Sequence, residues 1–134
     1  MGADWTERGF HAQGHRHNPS EDKLSVDNVS GLKKQWAFAA GGAIDCAIAV
    51  TDDHVFFGSF NQKVVAVNRA TGAGAWDFTT GAFIDSSPAY DDGTVFIASN
   101  DGNVYAFHAA NGTVKWQTPI GGVRFSSPAL VMNR

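Results

Sequence analysis

Ala66-Val-Asn-Arg-Ala-Thr-Gly-Ala-Gly-Ala-Trp76 returns later in the chain as Ala106-Phe-His-Ala-Ala-Asn-Gly-Thr-Val-Lys-Trp116. Both stretches put Ala first, Gly seventh and Trp last. Trp residues stand at 36, 76 and 116, at equal intervals of 40. A fixed period of about 40 residues marks a repeat architecture, and it matches the length of a four-stranded propeller blade.

The ruler extends well beyond the motif. Residues 36–75 overlay 76–115 without a gap. Phe38 meets Phe78, Ile44-Asp45 meets Ile84-Asp85, Val55-Phe56 meets Val95-Phe96, and Ser59 meets Ser99. A third copy starts at Trp116, keeps Gly121 and Ser126-Ser127-Pro128-Ala129, and has run less than half its length at Arg134.

Within each unit, runs rich in β-branched and aromatic residues predict four strands. They fall at 44–50, 54–59, 63–67 and 75–78, and again at 84–90, 95–99, 103–107 and 114–118. Asp91-Asp92-Gly93 and Asn100-Asp101-Gly102 separate three of them, and such pairs suit two-residue hairpins. No connection is long enough for a crossover helix, which excludes a parallel α/β fold. The expected class is all-β, a partial β-propeller of four-stranded antiparallel blades. Residues 1–35 form an irregular lead-in with one short helical turn near 26–32, and 36–134 form the propeller portion. Its blades are expected at 41–79 and 81–118, with orphan strands at 36–39 and 123–131. Since a propeller has 4–8 blades, two blades predict the N-terminal part of a longer protein. Trp36 is then expected to await a blade that this chain does not contain.

Composition narrows the function classes. Charged residues are 17% and the formal net charge is −3, with no basic cluster beyond Lys33-Lys34. That argues against a nucleic-acid partner. One cysteine, Cys46, cannot form an internal disulfide or a cysteine-rich zinc site. Asp45 interrupts the most apolar stretch, 37–50, so no membrane span is predicted. Met1-Gly-Ala-Asp-Trp5 lacks the basic-then-apolar order of a secretory signal.

The unit Ala-x-(Asp/Asn)-x-x-(Thr/Asn)-Gly-x-x-x-Trp resembles the tryptophan-docking motif of pyrroloquinoline-quinone (PQQ) repeat propellers. Ser86-Ser-Pro-Ala89 and Ser99-Asn-Asp-Gly-Asn-Val-Tyr-Ala106 are similar to the same repeat. Asp4-Trp5, Gly9, Asn18-Pro19, Asn28-Val29, Leu32 and Trp36 are similar to the start of quinoprotein alcohol dehydrogenases, including the polyvinyl-alcohol type. Two departures are visible: the motif's usual Asp is Asn68 in one copy and His108 in the other. The resemblance implies a docking set of Trp36, Ala66, Gly72, Trp76, Ala106, Gly112 and Trp116, each Trp lying against a motif Gly and Ala between blades. It implies PQQ and calcium as cofactors of the longer parent, with base-assisted hydride transfer from an alcohol to the quinone. It also implies the remaining blades as partners, an alcohol or polymer as substrate, and a periplasmic or secreted location. The alternative is a non-catalytic propeller that binds proteins or polymers. The catalytic residues cannot be placed on this chain, which is not expected to be active alone.

Asp45 and Asp85 hold the same repeat position at the start of an axis-lining strand, where the third copy has Arg124 and Phe125. Two readings stand: a carboxylate capping the connecting turn, or a ligand or cation contact at the channel mouth. Cys46 aligns with Ser86 and Ser126 and reads as a small apolar residue. His11, His15 and His17 lie in a coil with no carboxylate or Cys completing a ligand set, so no metal site is expected.

Overall fold

In the computed structural model, residues 5–6, 8, 17–19, 21–122 and 126–129 are described. They form two antiparallel four-stranded meanders with no crossover. The first contains β1 (Ala49–Val50), β2 (His54–Gly58), β3 (Lys63–Asn68) and β4 (Gly74–Thr79). The second contains β5 (Ala89–Asp91), β6 (Thr94–Ser99), β7 (Asn103–His108) and β8 (Val114–Pro119). Strand registers repeat with the sequence period. Phe56 faces Ala66 and Ala66 faces Trp76; Phe96 faces Ala106 and Ala106 faces Trp116. Even the irregularity recurs, with a register shift after Ala66 and again after Ala106.

The turns divide by length. Asp92 and Gly93, with φ of 39° and 73°, form the two-residue connection closed by the Asp91–Thr94 pair. The connection at 100–102 differs from the expected pair: Ser99 faces Asn103, leaving three residues with Gly102 at φ 88°. In the first sheet Gln62 takes that left-handed place at φ 71°.

The inner strands are shorter than expected, beginning at Ala49 and Ala89 and not at 44 and 84. Side chains take over the ladder there. Ser86 Oγ donates to the Ala98 carbonyl at 2.6 Å and accepts from the Ala98 N–H at 3.0 Å. Cys46 repeats the contact more weakly, its Sγ donating to the Gly58 carbonyl at 3.5 Å. Pro88 has no N–H to offer a ladder. Residues 36–39 form no strand, and among the described residues no ladder partner pairs with them. Of the other expected orphan strand, 126–129 are not a strand and 123–125 and 130–131 lie outside the described residues. The helical turn is a single 3-10 turn at Val29–Gly31.

Between the sheets, Val64, Ile84, Ile97, Tyr105 and Phe107 form a buried cluster against which Trp76 and Phe78 pack. On its other face the first sheet packs Phe57, Val65 and Val67 against Trp36, Ala40 and Cys46. β2 and β3 are therefore buried along almost their whole length, while every residue of β8 is exposed. The close approach requires Gly58, where a Cβ would fall 2.1 Å from Ile84 Cγ2.

Candidate functional site: blade joints and the inner-strand cleft

Two joints link the repeats, and each uses a left-handed glycine. Gly72 has φ of 75°, and a Cβ there would meet the Trp36 ring at 2.6 Å. The Trp36 indole N–H donates to the Arg69 carbonyl at 2.8 Å. Gly112, at φ 72°, faces the Trp76 ring in the same way, with a Cβ contact at 2.5 Å. The Trp76 indole donates to the Ala109 carbonyl, again at 2.8 Å. Each Trp thus docks on the glycine found 36 positions later, not on its own motif's glycine.

This placement corrects the expectation for Trp36. Trp36 docks on Gly72, in the β3–β4 turn of the first sheet, and among the described residues Trp116 is the ring without such a glycine, 45% exposed with a ring contact to Phe96. Ala66 and Ala106 are fully buried beside their joints. Asn68 serves as the motif's Asp would: its Oδ1 accepts from the Ala70 and Thr71 N–H groups at 3.0 Å. His108 makes no such contact, and Asn111 Oδ1 instead accepts from the Thr113 N–H at 3.0 Å.

A second blade-to-blade link was not read from the sequence. The Ala47 N–H donates to Ser87 Oγ at 2.9 Å, and the Ser87 N–H donates to Ser127 Oγ at 2.9 Å. The signal was the Ser87–Ser127 spacing of one repeat.

Where the inner strands begin, a cleft of about 410 Å³ is lined by Arg8, Ile44, Asp45, Cys46, Ala47, Asp85 and Ser87. The structure thus brings Asp45 and Asp85 to one surface; Arg124 lies outside the described residues. Asp85 is only 8% exposed, and its Oδ1 accepts from Asn100 Nδ2 at 2.9 Å. No hydrogen bond or ion pair holds Asp45 or Arg8 among the described residues. Cys46 is a poor nucleophile: burial pushes its thiol up, the Gly58 hydrogen bond opposes this, and Asp45 and Asp85 add to the rise. Of the three N-terminal histidines, His11 and His15 lie outside the described residues and His17 is exposed.

Arg8 reaches the cleft because the chain before it straps both inner strands. The Val50 N–H donates to the Trp5 carbonyl and the Tyr90 N–H to the Thr6 carbonyl, the latter at 2.7 Å. Consecutive residues therefore bind equivalent positions of neighbouring sheets. Nothing in the 40-residue period pointed to this, since residues 5–8 precede the repeat.

The family profile described as outer membrane protein assembly factor BamB matches residues 23–132. The chain belongs to this PQQ-repeat family. No curated relative matches. Among solved structures, the chain is similar to quinohemoprotein alcohol dehydrogenase from Comamonas testosteroni, with 20% identity and a TM-score of 0.79. That match covers 87% of this chain and 19% of the other. A europium-containing methanol dehydrogenase matches at 19% identity and TM-score 0.83, over 97% of this chain and 26% of that one. BamB from Moraxella catarrhalis matches at 20% identity and TM-score 0.55, over 60% of this chain and 26% of its own. At these identities the likeness shows the fold, a partial PQQ-repeat β-propeller. The chain spans about a fifth to a quarter of the structures it resembles.

The two cofactors of a quinoprotein can be tested against the cleft. PQQ is a tricarboxylate, and one guanidinium against two carboxylates leaves the lining net negative. Calcium takes about 6–8 oxygen ligands, yet no three His, Cys, Asp or Glu side chains come together among the described residues. The described lining of this cleft fits neither group.

Proposed function

We propose that this chain supplies two blades of a PQQ-repeat oxidoreductase that acts on alcohols in the periplasm or outside the cell. Its domains are the lead-in at 1–35 and the propeller portion at 36–134. The carrying observation is the pair of Trp-on-glycine joints, which leaves Val114 and Trp116 of β8 and the following Ile120 exposed for a further blade. The dehydrogenase folds that align with nearly the whole chain support the catalytic side of the reading.

In this assembly the chain's residues position and do not react. Trp76 joins the two sheets and Trp36 pins the lead-in to the first, while the Ala47–Ser87 bond links the starts of the two inner strands and the Ser87–Ser127 bond continues to the third copy. The strap at Trp5 and Thr6 closes the inner edge. PQQ, when bound elsewhere on the longer parent, would supply the electron acceptor. On this reading the chain needs the rest of the parent for activity.

A scaffold without catalysis is the second reading, favoured by the profile's description as an assembly factor. The longer parent, reconstituted with PQQ and calcium, decides between them. The oxidoreductase reading expects dye reduction driven by alcohols; a parent that neither binds the quinone nor reduces the dye refutes it.

A further inference from the structure

The second joint carries three residues that the repeat does not call for. One period earlier, the places of Tyr90, Asp101 and Tyr105 are held by Val50, Asn61 and Val65. The first joint packs Trp36 against Phe57, Val65 and Val67, with no tyrosine. Docking an indole therefore needs neither a phenol nor the hydrogen bond between Asp101 and Tyr105.

Both tyrosines nevertheless connect to Trp76 through one intervening ring. Phe107 stands 5.7 Å from Trp76 and is stacked on Tyr105 at 5.9 Å and 8°. Phe56 stands 5.9 Å from Trp76 and is stacked on Tyr90 at 6.1 Å and 10°. All four are centroid separations of rings in contact. The row runs from half-buried Tyr90 across the joint to Tyr105, which is 5% exposed. Its two ends differ in chemistry. The Tyr105 hydroxyl donates to Asp101 Oδ2 at 2.6 Å, and a carboxylate ionised at neutral pH can take the proton when the phenol is oxidised. Tyr90 has no side-chain acceptor among the described residues.

We propose that this aromatic row is an electron relay that protects the joint: when a one-electron oxidant takes an electron from Trp76, Tyr105 replaces it and passes its proton to Asp101. The oxidant, a radical that is itself reduced, leaves Trp76 as a radical cation. An electron then crosses Phe107 from Tyr105, the phenol O–H bond breaks, and Asp101 Oδ2 gains the proton. The products are closed-shell Trp76, a Tyr105 phenoxyl radical and a protonated Asp101, so electrons and charge balance. The step runs downhill because a phenol that loses its proton gives up an electron more readily than an indole does. The phenylalanine rings are not oxidised; they are the packed medium between donor and acceptor. The relay needs no quinone and stands independently of the oxidoreductase reading.

The test is pulse radiolysis of the 134-residue chain with the azide radical, which takes one electron from tryptophan and becomes azide ion. The tryptophanyl absorption is expected to decay in step with a rise of the tyrosyl one. The rate should be independent of protein concentration and slower in deuterium oxide. Tyr105→Phe is expected to abolish the rise, whereas Tyr90→Phe leaves it. Asp101→Asn keeps an acceptor for the hydroxyl but removes the base, and is expected to slow the conversion about 100-fold. Tyr105→Phe retains the ring, so it keeps the test open if Asp101→Asn fails to fold. Absence of the rise, or a rise that depends on protein concentration, overturns the proposal. So does a rise unchanged in Tyr105→Phe or in Asp101→Asn. Equal slowing by Tyr90→Phe and Tyr105→Phe, the mark of a merely structural effect, also overturns it.

Discussion

Trp76 occupies the space that any side chain at position 112 would need: a Cβ on Gly112 would stand 2.5 Å from its Cδ2 and Cε3 atoms. Gly112→Ala therefore combines left-handed backbone strain of about 1–2 kcal/mol with displacement of a docked indole. A loss of about 3 kcal/mol or more is expected, within the range of large core lesions. Gly93→Ala is the control. Gly93 has φ of 73° but nothing within 4 Å of its Cβ position, so only the strain applies. Urea denaturation of both variants separates the two contributions.

Trp76 and Trp116 hold the same motif position but different surroundings. Trp76 packs in both inter-sheet clusters, whereas Trp116 is 45% exposed. Trp76→Ala is expected to cost about 3–5 kcal/mol and Trp116→Ala about 1 kcal/mol or less. Equal losses in thermal or urea unfolding would place the joints elsewhere.

The repeat was legible because its signals are local. Ala66, Gly72 and Trp76 recur as Ala106, Gly112 and Trp116, and the strand runs between them alternate with turn residues. Which Trp meets which Gly was not legible, since the 40-residue period is equally consistent with docking forward or within one motif. Strand length at the inner edge was also hidden: Ser86 and Cys46 replace ladder bonds with side-chain bonds, which composition does not reveal. The candidate site was half legible. Asp45 and Asp85 follow from the repeat, while Arg8 and Trp5 arrive by a strap outside it.

Gly58 and Ile84 form a tight contact across the sheets. Gly58→Ala drives a methyl to 2.1 Å from Ile84 Cγ2, an overpacking expected to cost about 1–3 kcal/mol. Ile84→Ala removes that methyl, so the double variant is expected to be more stable than the sum of the single losses. A coupling of about 0.5–3 kcal/mol in a double-mutant cycle is the signature; strict additivity contradicts the contact.

Asp101 and Tyr105 form a hydrogen-bonded pair that contributes to the pH response. Asp101 Oδ2 accepts from the Tyr105 hydroxyl at 2.6 Å and from the Gly81 N–H at 2.9 Å. Burial and the Asp101 hydrogen bond push the Tyr105 phenol up from 10.0 to about 12. The folded state then keeps a proton that the unfolded chain releases, so stability falls as pH rises from about 10 towards about 12. Burial raises the Asp101 carboxyl, but the bonds from Tyr105, Gly81 and Asn103 outweigh it and hold the group below its ordinary 3.8. Its contribution is present above that value and is lost as pH falls through the lowered one. Tyr105→Phe should reduce the alkaline slope between these limits in denaturation curves measured across pH, the remainder belonging to the Cys46 thiol, which burial also pushes up.

The joint itself can be read directly in solution. Nuclear Overhauser contacts and ring-current shifts of the Gly72 and Gly112 α-protons report which indole covers each. Contacts from Trp36 to Gly72 and from Trp76 to Gly112, with both glycines shifted upfield and Trp116 contacting neither, are the expected result. Unshifted glycines, or contacts from Trp76 to Gly72 within its own motif, would contradict the blade-to-blade docking on which the fold and the proposed function rest.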